Sequence, residues 1–211
     1  MVQQVQAELT IEVTRGNDQA VSMAVSPFGW KGEKVLPEDP AAIIDNDLKL
    51  SGLFRPMARS SMLSFPVKES DVYYRDWKVL GASYLVTGEV SHSGQLYTLN
   101  YQLYDIIRNK RIVSGGFTGL ESQLRGMAHR VSDAVYEKIT GLKGDFSTRI
   151  LYVTARQAQS GSSKKTQMDY QLNYSDADGK RDRKVFSSKE PILSPSWSPD
   201  GKRIAYVSFE S

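Results

Sequence analysis

Residues Pro191 to Phe209 read PILSPSWSPDGKRIAYVSF and carry three signals in succession. A proline-rich lead-in runs to Trp197. A tight turn follows at Asp200-Gly201, where Pro199 presets φ and Gly201 accepts the positive φ such a turn needs. From Arg203 to Phe209 the residues alternate as a strand does. Trp197, just before the turn, offers a ring large enough to pack between two sheets.

A short inner strand ending in WSPDG, then an apolar second strand, is the pattern of a β-propeller blade. It resembles the WD40-like propeller repeats of bacterial envelope and peptidase proteins. An internal comparison supports it: Arg149-Ile150-Leu151-Tyr152-Val153-Thr154 matches Arg203-Ile204-Ala205-Tyr206-Val207-Ser208, displaced by 54 residues. Propeller repeats recur about every 40–50 residues. The polar insert Gln157 to Gln167 accounts for the excess. The first copy has no WSPDG before it. The expected content is therefore one blade without its inner strand and the start of a second, about one to one-and-a-half blades. Whole propellers have about 4–8, so the chain reads as a fragment of a longer protein.

Formal net charge is +3. Between Arg156 and Glu190 stand eight Lys/Arg and five Asp/Glu, so that segment holds the whole surplus. A nucleic-acid protein would show a broad basic face; a solvated loop is expected instead, and no nucleic-acid partner. Apolar runs are too short to span a bilayer. Cysteine is absent, which excludes disulfides, Cys-ligated zinc and thiol catalysis. Residues 1–7, MVQQVQA, lack a hydrophobic signal core, yet Val5-Gln6-Ala7 has the small-residue ending of an export signal. A signal remnant behind an added Met1 and an ordinary disordered tail both fit.

Glu8 to Thr14, ELTIEVT, alternates as a strand, and Val21 to Phe28 is apolar enough for a central one. Asp39-Pro40 opens a helix with an acidic N-cap and proline at the first helical position. Ile43, Ile44, Leu48 and Leu50 follow at near-helical spacing, and Gly52 ends it. Leu53 to Met57 is extended. Ser70 or Asp71 is expected to cap a short helix carrying Val72, Tyr73, Trp77 and Leu80, closed by Gly81. Three strands follow as a meander: Tyr84 to Val90, Leu96 to Asp105 and Lys110 to Phe117, with turns at Gly94 and Asn109. The longest helix, Leu120 to Thr140, has an apolar stripe of Leu124, Met127, Ala128, Val131, Ala134, Val135 and Ile139. Gly144 to Ser147 is a short linker. The expected organisation is a tail at 1–7, an α/β domain with a mixed sheet and helices at 8–146, and a propeller start at 147–211.

No reaction-bearing constellation stands out. His92 lies in a hairpin turn and His129 off the apolar stripe, so each reads as a satisfied or exposed histidine. Asp176-Ala177-Asp178-Gly179 begins like a calcium loop, but position twelve is Ser187 where a bidentate glutamate is required, so a hairpin turn is expected. There is no G-x-S-x-G elbow and no phosphate loop. Glu38-Asp39 and Asp45-Asp47 fit a helix start and a solvated helix face. No catalytic residue, metal or cofactor is expected.

An α/β domain followed by WSPDG resembles the TolB family, periplasmic proteins of the Tol-Pal system. The likeness extends through Ala24 to Trp30, Pro37-Glu38-Asp39, Leu50 to Phe54, Tyr101 to Asp105, Ala128 to Asp133, Lys138 to Ile150 and Ser194 to Ser211, in colinear order. The family carries a six-bladed propeller, and this chain stops early. The resemblance implies a non-enzymatic periplasmic adaptor that meets membranes only through its partners. Those would be the inner-membrane protein TolA, bound through an N-terminal segment, and the outer-membrane lipoprotein Pal, bound through the propeller. The system maintains the envelope, serves constriction at division and is exploited by some colicins and filamentous phages. Pal binding in the family changes whether the N-terminal segment is free.

The segment carried over as the TolA site is Glu8, Leu9, Thr10, Ile11, Glu12, Val13, Thr14, Arg15 and Gly16. Leu9, Ile11 and Val13 share one strand face, so the segment can add to a partner's sheet edge; a strand of the domain's own sheet fits the same residues. A second class, the propeller of a prolyl-oligopeptidase-like hydrolase, also carries WSPDG repeats.

Overall fold

A strand buried on both faces reads as a continuous apolar run, and Val21–Val25 (β1) comes close, broken only by Ser22, with Met23, Ala24 and Val25 all buried. The computed structural model of this chain describes residues 20–159 and 166–210. β1 runs parallel to Phe54–Pro56 (β3) on one side and to Tyr84–Ser93 (β4) on the other. Leu96–Asp105 (β5) and Lys110–Leu120 (β6) complete the order β3-β1-β4-β5-β6, and Gly29–Trp30 (β2) also pairs with β4. The meander turns at Gly94 and Asn109, both at positive φ, as expected. β1 stops before Pro27, which has no N–H to donate, and not at Phe28.

Pro40–Leu50 (α1) begins as the sequence requires: the Asp39 side chain accepts from the Ala42 N–H at 3.1 Å. The second short helix starts later than expected. Asp71 accepts from the Lys68 N–H and serves a 3-10 turn at Glu69–Asp71 instead of capping a helix, so Tyr74–Val79 (α2) starts without a side-chain cap. Trp77, Met62, Val72, Leu85, Tyr104 and Ile106 form one apolar cluster of this part.

Leu124–Thr140 (α3) begins four residues later than expected, after a 3-10 turn at Glu121–Gln123. Beyond it, Arg149–Gln159 (β7), Thr166–Asp176 (β8) and Arg183–Ser188 (β9) form an antiparallel sheet in chain order, as a blade's outer strands should. β7 and β8 stay paired out to Gln159 and Thr166, so the described ends of the polar insert, 157–159 and 166–167, lengthen the hairpin. Ile192–Trp197 (β10) and Ile204–Ser208 (β11) form a second antiparallel pair, whose register shifts between Leu193 and Ser196, beside Pro195. A mixed α/β sheet followed by the opening strands of a propeller is the expected fold.

Two compact units emerge. One comprises the described residues up to His92 together with Thr98–Gly116; the other comprises Ser93–Tyr97 and the described residues from Phe117 onward. The division thus groups α3 with the blade strands.

Candidate functional site

The Glu8 to Gly16 segment expected to bind a partner lies outside the described residues, as does the 1–7 tail. What the structure builds in side-chain detail is the propeller start.

The WSPDG turn is closed on itself. The Gly201 N–H donates to the Ser198 carbonyl at 2.8 Å, and the Ser198 hydroxyl to Asp200 Oδ1 at 2.5 Å. Asp200 Oδ1 also accepts from the Lys202 N–H at 3.1 Å, and Ser198 Oγ from the Arg203 N–H at 2.9 Å. The Ser198 hydroxyl and the Lys202 N–H hold the Asp200 carboxyl below its ordinary pKa. Trp197 packs between the two sheets, as its ring size suggested. It meets Tyr174 of β8 edge-on at 5.7 Å, and the Arg149 guanidinium of β7 lies 4.7 Å from its ring centre. Phe186 of β9 meets Tyr206 of β11 at 5.4 Å. The opposite face of the second pair carries Leu193 directly across from Val207, each about half exposed.

The Asp176 to Gly179 turn is a hairpin turn as expected, closed by the Gly179 N–H on the Asp176 carbonyl at 2.9 Å. Its carboxylates have a use the sequence did not reveal. Arg125, buried on α3, donates from Nε to Asp176 Oδ2 at 3.1 Å and pairs with Asp178. His129 is not at an exposed position: it is 2% accessible, with Nε2 3.8 Å from Asp176 Oδ2. The overlooked signal is the spacing of Arg125, His129 and Ser132, three buried polar residues at i, i+4 and i+7 beside the apolar stripe. Just before, Arg181 donates to the Ser122 carbonyl at 3.0 Å.

At the other end of α3 the linker folds back. Asp133 accepts from the Phe146 N–H at 2.7 Å and the Ser147 N–H at 3.2 Å, while Phe146 meets Tyr136 edge-on at 5.6 Å. Gly144 lies so close that a Cβ there would stand 2.6 Å from the Asp133 Cα.

His92 and His129 fall in different units. Asp47, expected on a solvated face, is buried, because it follows Ile43 by one helical turn on α1. Asp39 is half-exposed; burial opposes its ionisation, but Arg59, 2.7 Å away, and the Ala42 N–H hold the carboxyl below its ordinary pKa. Burial pushes the Tyr104 hydroxyl up to about 12. None of the described helices is long and apolar enough to cross a membrane.

Comparison with known proteins adds a second line of observation. The family model described as the TolB amino-terminal domain matches residues 9–112, and that described as the TolB beta propeller domain matches 136–211. The Tol-Pal system protein TolB of Pseudomonas syringae pv. syringae is 47% identical over 203 residues, covering 96% of this chain and 46% of that protein. Its counterpart in Pseudomonas aeruginosa is 44% identical over 205 residues, covering 97% of this chain and 46% of that protein. The crystal structure of TolB from Acinetobacter baumannii superposes with a TM-score of 0.76 at 35% identity, over 95% of this chain and 47% of that one. The chain spans about half the length of these relatives.

Proposed function

The chain belongs to the TolB family, and on that premise we propose that it acts as a non-enzymatic periplasmic adaptor of a Tol-Pal system. In this reading it belongs to a link between TolA at the inner membrane and Pal at the outer membrane, supporting envelope integrity and constriction at division. Colicins that exploit the system would be further partners. The observation that carries the reading is the match of both family models in the order TolB amino-terminal domain, then TolB beta propeller domain. Two features of the residues fit it. The propeller start uses its carboxylates and aromatic rings in packing and ion pairs. The Glu8 to Gly16 segment has the apolar-polar alternation of a strand that can add to a partner's sheet.

The test is a calorimetric titration of the TolA C-terminal domain into the chain and its Ile11→Asp variant. Ile11 sits at the centre of the Leu9-Ile11-Val13 face. Lost apolar burial and a desolvated charge together weaken binding by about 2 kcal/mol or more. Equal affinity of a folded variant removes the segment from the site.

A further inference from the structure

α3 precedes the linker in sequence, yet Arg125 and His129 on it meet the turn that follows β8. We propose that α3 and the first blade form a single mechanical body, latched by Arg125 to the turn after β8, so that a disturbance of that turn is transmitted to the helix. Four observations within this unit converge on it.

First, the Arg125 guanidinium is buried on α3 and held by two carboxylates, Asp176 and Asp178. A planar guanidinium between two carboxylates is a directional clasp, unlike a lysine point charge. Removing one partner of such a buried pair leaves a charge that the surroundings cannot solvate, which makes the contact resist partial opening. Second, His129, one helical turn on, faces Asp176, so the same side of α3 meets the turn twice. Third, Arg181 beyond the turn reaches back to the Ser122 carbonyl, just before α3 begins. Fourth, Asp133, midway along α3, holds the Phe146 and Ser147 N–H groups, so the linker runs back along the second half of the helix. The clasp at the start of α3 and the linker clamp at its middle tie the helix to the blade. The turn Asp176 to Gly179 is then a trigger point: a cationic group that takes Asp176 or Asp178 from Arg125 loosens the start of α3.

Hydrogen exchange read by mass spectrometry on the whole chain tests this, with Asp178→Asn, Arg125→Met and the milder Asp176→Asn. Each variant should raise exchange about tenfold or more in peptides covering 122–130 and 174–184 together, with peptides from β1 and β4 unchanged. Arg125→Lys, which keeps the charge and loses the fork, should fall between. If Arg125→Met does not fold, Asp176→Asn still decides, because Asp176 is partly exposed. Faster exchange in the turn with α3 unaffected overturns the proposal. So does a wild-type chain in which α3 opens together with β1 and β4 and separately from β7 and β8.

Discussion

Gly144→Ala should destabilise the chain by about 2.5–4 kcal/mol, although the position lies on a surface linker where alanine is usually harmless. The added Cβ would stand 2.6 Å from the Asp133 Cα and 2.7 Å from its Oδ1. The first is a backbone atom, so no rotamer change relieves the overlap and the linker must move. Moving it breaks the two hydrogen bonds that Asp133 accepts from Phe146 and Ser147. Bonds to a charged acceptor contribute about 1.5–3 kcal/mol each, and exposure of the Ser147 end favours the low figure. Loss of the Tyr136–Phe146 edge contact adds about 0.5–1.5 kcal/mol. Alanine stiffens the unfolded chain and returns about 0.4–1 kcal/mol. Urea unfolding followed by far-UV circular dichroism measures the difference. Asp133→Ala removes the same hydrogen bonds without the overlap, so the double variant should cost less than the two single ones added. A Gly144→Ala chain within 0.5 kcal/mol of the parent, or strict additivity with Asp133→Ala, refutes the reasoning.

Asp39→Ala removes the α1 cap and should cost about 1 kcal/mol in the same assay. Because the folded pKa of Asp39 is lowered, its contribution is present above the ordinary value of 3.8 and is lost as pH falls through the folded value; the variant should therefore lose less stability than the parent on acidification. Tyr104, raised to about 12, should ionise after the exposed tyrosines in an ultraviolet titration. Its raised pKa stabilises the fold below the ordinary value of 10.0, and that contribution fades as pH climbs toward 12. Trp197→Ala removes a half-buried ring that spans both sheets and should cost about 2 kcal/mol, with faster exchange in β10 and β11 while β1 and β4 stay protected. Unchanged exchange in β10 and β11 would contradict the packing assigned to Trp197.

The sequence by itself determined the features that neighbouring residues settle among themselves. Asp39 reaches a donor three positions on, Ser198 and Asp200 close a turn within six residues, and Asn109 adopts positive φ in a tight connection. Alternation in Ile204 to Ser208 and its echo in Arg149 to Thr154 gave the blade strands, because a pleated backbone turns side chains to opposite faces at every step. The cap assigned to Ser70 or Asp71 failed for the same kind of reason: two local turns competed for one carboxylate, and the 3-10 turn at Glu69–Asp71 took it. Only the tertiary structure decided which residues the polar side chains of α3 meet. Arg125 and its carboxylates are 51 and 53 residues apart, and nothing local in either segment specifies the other. Asp47 looked like a surface residue because polar side chains usually are, and His129, off the apolar stripe, fits a satisfied or an exposed histidine alike; their burial follows from helices that must bury a whole face, polar members included, once the sheets are in place.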